Sequence, residues 1–99
     1  MPIKTRPFDP ATYLESVESI AAYLTEALAT NDPGFIADAL GVIARAKGMT
    51  QVARETGLSR ESLYKTLSAD GNPELSTLLR VLAALRLTVV ASAKGHDSP

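Results

Sequence analysis

Ninety-nine residues, 45 % hydrophobic and 21 % charged, amount to about one small domain of ordinary globular composition. The lack of cysteine and the single histidine, His96, together exclude disulfide frameworks, zinc ligand sets and thiol or imidazole nucleophile systems, and charge-free stretches of only about seven residues exclude a bilayer span, which needs roughly 18. The net charge of −1 hides a split, because residues 1–42 hold two basic and six acidic side chains (−4) and residues 43–99 hold eight basic and five acidic ones (+3), so two surfaces with different partners are expected.

Residues 1–8 contain Pro2 and Pro7 and no apolar period, which reads as a flexible arm, and no signal-like apolar run follows, so a cytoplasmic location is expected. Asp9-Pro10 pairs a capping residue with a proline at the first helical position and starts a short turn through Leu14. From Ser16, the spacing of Val17, Ile20, Ala21, Leu24, Ala27 and Leu28 predicts an amphipathic helix over about 16–30, with Glu15, Glu18 and Glu26 left for solvent. Asn31-Asp32-Pro33-Gly34 stops it and caps a second helix, whose apolar set runs from Phe35 to Ala44 and which ends on Arg45, Lys47 and Gly48. Thr50 is expected to cap a short third helix through Thr56, and Gly57 stands where a tight turn requires positive φ. Ser59 caps a fourth helix, Arg60–Leu67. Asn72-Pro73 repeats the cap-plus-proline device before a fifth, about Pro73–Leu85, striped by Leu75, Leu78, Leu79, Leu82 and Leu85. Arg86–Ala91 turns to β-branched residues and predicts a short C-terminal strand. With no second strand to satisfy it, pairing with the same strand of another subunit is expected, with Leu87, Val89 and Val90 at a dimer contact. Residues 92–99 read as a flexible tail, leaving a single domain over 9–91 that is all-α apart from that strand.

Residues 50–67 have the spacing of a helix-turn-helix: Ala53 is small where two helices cross, Gly57 follows four residues later, and Leu58 and Leu63 pack the second helix on the first. The outward and N-terminal face of that second helix carries Ser59, Arg60, Glu61, Ser62, Tyr64 and Lys65, and in this motif such a face enters the major groove. Arg60 and Lys65 can donate to guanine edges or phosphates, Glu61 can accept from a cytosine amino group, and Ser59 and Ser62 suit either base or phosphate. Lys47 and Gln51 are candidates for backbone contact. The competing reading is an ordinary solvated helix face, which weighs most for Glu61 and Tyr64 because their role depends on docking angle. His96 has no partner cluster, and Glu15 and Glu18 have neither a second acid nor a metal-ligand set, so no catalytic or metal site is expected.

Phe8-Asp9-Pro10, Tyr13-Leu14, Ile20-Ala21-Ala22-Tyr23-Leu24, the run Gly41–Met49, Leu58–Lys65, Gly71-Asn72-Pro73 and the run Leu78–Leu87 together resemble the DNA-binding antidote proteins of bacterial addiction modules, type II toxin–antitoxin systems with RelE/HigB-like toxins. The resemblance covers nearly everything from Phe8 to Ala91. It implies a five-helix, lambda-repressor-like domain, a homodimer, binding to double-stranded operator DNA at the module's own promoter, and neutralisation of a RelE-like ribonuclease toxin. It implies no enzyme activity, cofactor, small-molecule ligand or membrane. Such toxins are basic, so the acidic first half, chiefly Glu15, Glu18 and Glu26, is expected to contribute to toxin contact. Two alternatives share these features: a stand-alone helix-turn-helix repressor without a toxin, and a toxin-binding protein whose helix-turn-helix is only scaffold.

Overall fold

The computed structural model describes residues 16–94, in which five helices follow one another: α1 (Val17–Ala29), α2 (Pro33–Lys47), α3 (Met49–Thr56), α4 (Arg60–Thr66) and α5 (Leu75–Ala84). The arm at 1–8, the turn from Asp9 to Leu14, Glu15 and the end of the tail with His96 lie outside the described residues. Three helices begin where a short side chain accepts otherwise unpaired amides. Ser16 Oγ accepts from the Ser19 amide at 3.0 Å, Asp32 Oδ1 from those of Gly34 and Phe35 at 3.0 and 3.3 Å, and Ser59 Oγ from that of Ser62 at 3.0 Å.

Two expected caps are not used. Thr50 lies inside α3, because Gly48 at φ 118° ends α2 and starts α3, and its carbonyl already accepts from the Val52 amide at 3.1 Å. Starting two residues earlier buries Met49, which is 5 % exposed, in the core. Asn72-Pro73 likewise precedes the helix rather than opening it, and Glu74, without a side-chain cap, is the residue before α5.

The expected C-terminal strand does not form: among the described residues there is no strand. The start of that segment closes α5 instead. Arg86 adopts φ 63°, its amide donates to the Ala83 carbonyl at 3.0 Å, and the Leu87 amide donates to the Leu82 carbonyl at 2.9 Å. This is a Schellman closure with arginine in the left-handed position where glycine is usual. Leu87 supplies the accompanying apolar contact and packs, half-buried, on the core. Residues 87–90 then run beside Ala21, Leu24, Thr25 and Leu28 of α1, with no strand for their backbone to pair with.

α2 is the hub. Its Ala37, Ala39, Leu40, Ile43 and Ala44 are at most 2 % exposed, and it packs against α1, α3 and α4, while α3 also packs against α4 and α5. Leu40, Ile43, Val52, Leu63, Leu67 and Val81 fill the centre. The approach of α4's end to α2 depends on Gly41, since a Cβ there would collide with the Leu67 carbonyl oxygen. Packing this close forbids even one methyl group.

Candidate nucleic-acid interface

The α3–α4 pair is fixed by its own local chemistry. The Gly57 amide donates to the Ala53 carbonyl at 2.9 Å while Gly57 takes φ 77°, ψ 13°, a left-handed conformation that costs glycine nothing. Thr56, 6 % exposed, uses one hydroxyl twice: it donates to the Val52 carbonyl at 2.8 Å and accepts from the Leu58 amide at 3.2 Å. Arg80, from α5, reaches across and its Nη1 donates to the Thr56 carbonyl at 3.3 Å. The turn is thus tied from within and from a helix 24 residues away.

With Leu63 fully buried and Leu58 half-buried, α4 turns a continuous polar face outward. Ser59, Arg60, Glu61, Ser62, Tyr64 and Lys65 are all exposed, and so is Gln51 on α3, whereas Lys47 is half-buried. Local partners already hold several of them. Ser59 is engaged as the helix cap, so one lone pair of its oxygen serves the backbone, and its hydroxyl hydrogen and second lone pair are left for an outside partner. Gln51 Nε2 donates to Glu55 Oε2 at 3.0 Å one turn along α3, which leaves its carbonyl oxygen for another donor. The Arg60 guanidinium lies 6.0 Å from the centre of the Tyr64 ring, one turn on, at the outer limit of a cation–π contact. Arg80 escaped the sequence reading because nothing near it in the chain signals that its target is the end of α3.

The acidic residues sit on a different element. Glu18 and Glu26 are exposed on α1, which packs on α2, whereas α4 packs on α2 and α3; Glu15 lies outside the described residues. Of the expected dimer contacts, Leu87 is half-buried against the core and Val89 and Val90 are 49 % and 79 % exposed. Among the described residues no group of His, Cys, Asp or Glu could hold a metal ion, and no helix is long and apolar enough to cross a membrane.

A family model described as "Probable addiction module antidote protein" matches residues 4–93. A Haemophilus influenzae (strain KW20 / Rd) protein, described as "Uncharacterized protein", is 50 % identical over 80 residues, covering 81 % of this chain and 82 % of the relative. No solved structure matches.

Proposed function

The chain belongs to the probable addiction module antidote family, an antitoxin family, and from that premise we propose that it neutralises a RelE-like ribonuclease by direct contact and represses its own operon through α3 and α4. The observation that carries the DNA half is the α4 face: six consecutive or near-consecutive polar side chains stand exposed on a short helix whose inner side is locked to α3 through Gly57. A helix so held can lie in a major groove with Arg60 and Lys65 toward base edges or phosphates, while Gln51 and Lys47 contact the backbone. Glu61, Ser62 and Tyr64 complete the reading surface.

Glu18 and Glu26, with Glu15 just before them, offer a basic toxin a complementary surface on α1, so both partners can be held at once by separate elements. Operator reading by two symmetric half-sites calls for a homodimer. The side chains of the segment after α5, Val90 above all, are the dimer contact in this reading.

The test is to co-express the chain with the product of the neighbouring gene, purify through a tag on that neighbour, and titrate the complex against the operon promoter at several salt concentrations. Co-purification with salt-sensitive, promoter-specific binding is expected. Promoter binding without co-purification would replace the reading by a stand-alone repressor, and co-purification without promoter binding by a scaffold whose α4 reads nothing.

A further inference from the structure

Between α1, α2 and α5 runs a groove of about 270 Å³ whose exposed lining is entirely apolar. Leu24 and Leu28 come from α1, Ile36 from α2, and Leu75 and Leu79 from α5. Leu75 and Leu79 are 69 % and 56 % exposed, as large aliphatic side chains of a finished surface seldom are when they cluster. The charges around this floor have one sign. Residues 16–44 and 66–79 supply its walls apart from Leu82 and Val89, and they hold four and two acidic side chains with no lysine or arginine. The next cations along the chain, Arg80 and Arg86, line a separate cleft with Glu55 and Thr56 on the α3 side of α5.

Four of the acidic residues border the groove, and all four are exposed. Glu18 stands three residues before Ala21 and seven before Thr25, on the row of α1 that faces the segment after α5. Asp32 caps α2 four residues before Ile36. Asp70 and Glu74 belong to the loop entering α5, and that loop sits on the first turn of α2, where a Cβ on Gly34 would lie 2.7 Å from the Ala69 carbonyl oxygen. We propose that the groove is the toxin-docking surface, seating the apolar stripe of an amphipathic helix of the toxin while the lysines and arginines flanking that stripe meet Glu18, Asp32, Asp70 and Glu74. This rests on the reading that the partner is a basic toxin, and it adds where and by what chemistry it is held. The shape suits a helix: Leu75, Leu78, Leu79 and Leu82 recur at helical steps over about 10 Å, two turns of α5, and a third helix laid along α1 and α5 fills such a channel with anchors at i, i+3 or i+4, and i+7. The charge excludes a second copy as occupant. A symmetric contact sets the same patch against itself, and here it would press one acidic rim onto another. Val90, the dimer contact of the preceding reading, is outside the groove lining and remains free for that role.

The test titrates the full-length chain with the purified product of the neighbouring gene. The double variant Leu75→Ser with Leu79→Ser should weaken binding by at least about thirtyfold, chiefly through faster dissociation, while promoter binding and the melting temperature stay near those of the parent. The reversal Asp70→Lys with Glu74→Lys should slow association by about tenfold at low salt and hardly at all at high salt. A parent that binds the toxin while both variants bind it equally well would overturn the groove and leave the toxin reading standing; a parent that does not bind would remove both. A dimeric parent that the serine variant turns into a monomer would give the groove to a second copy and also overturn the proposal. A second measurement does not depend on how the serine variant folds. The chain has no cysteine, so Leu79→Cys carries a single thiol, and saturating toxin should slow its alkylation, followed by intact mass, by at least about tenfold, with no such protection of Arg54→Cys on the exposed side of α3. Alkylation of Leu79→Cys at the same rate with and without bound toxin would overturn the proposal.

Discussion

Around α3 and α4 the aliphatic side chains have gone inside: Val52, Leu63 and Leu67 are fully buried, and Arg60, Glu61, Ser62 and Lys65 are left to meet water. Along α5 and the segment after it, Leu75, Leu79, Val89 and Val90 remain 49–79 % exposed. Both regions use amphipathic helices, but the first is a polar surface over a completed core and the second an apolar surface over a core still lacking a layer. A recognition face can wait in water for a charged ligand at little cost, since its side chains are solvated until they bind. An apolar face cannot, and its exposure is a statement that something of matching chemistry belongs on it.

The sharpest way to break the contrast is to hollow the finished side. Leu63→Ala should lower unfolding free energy by about 2–5 kcal/mol, measured by urea denaturation, because Leu63 is fully buried between the helices of the turn and the site cannot collapse to fill the space. A loss within about 0.5 kcal/mol, the range typical of surface positions, would mean that this side is no more complete than the other. The outer face of the same helix should respond in binding and not in stability. Arg60→Ala is expected to lower specific operator affinity by about 1–3 kcal/mol while leaving the melting temperature nearly unchanged; equal loss on random DNA would move Arg60 from base to phosphate contact. On α1, the double reversal Glu18→Lys with Glu26→Lys should slow toxin association by about tenfold at low salt, with the difference shrinking as salt rises. Toxin kinetics identical to the parent would remove the acidic face from the toxin contact. The smallest effect is a gain. Arg86→Gly should stabilise the chain by about 0.5–1 kcal/mol in thermal unfolding, because the left-handed φ of 63° that closes α5 strains arginine and not glycine.

Legibility tracked the range of the interactions. The caps at Asp32 and Ser59 and the turn at Gly57 were readable because each is a bond between residues two to four apart, and the Ser16 cap, equally local, went unread. Thr50 misled, since the choice between it and Gly48 was settled by how deeply Met49 could be buried. Arg86–Ala91 misled for a related reason: β-branched residues suit a strand only where another strand is present, and here the end of α5 took the first two residues for its own closure. In the candidate site, the exposed face of α4 followed from helical spacing. The local engagement of Ser59 and Gln51, and the reach of Arg80 to the Thr56 carbonyl, depended on side-chain geometry that spacing does not carry.

The sequence by itself determined the number and order of the described helices, the position of the turn between α3 and α4, the polar character of the face beyond it, and the separation of acidic from basic elements. All of these rest on contacts within a turn or two of chain, where backbone geometry permits few alternatives. The tertiary structure alone decided that α2 is the hub, that Gly41 must lack a side chain for the end of α4 to approach, that Arg80 anchors the turn, and that an apolar groove stays open between α1, α2 and α5. Those outcomes depend on which surfaces meet across tens of residues, and meeting is settled by packing volume and by the backbone groups that packing leaves to be satisfied, neither of which has a local signature.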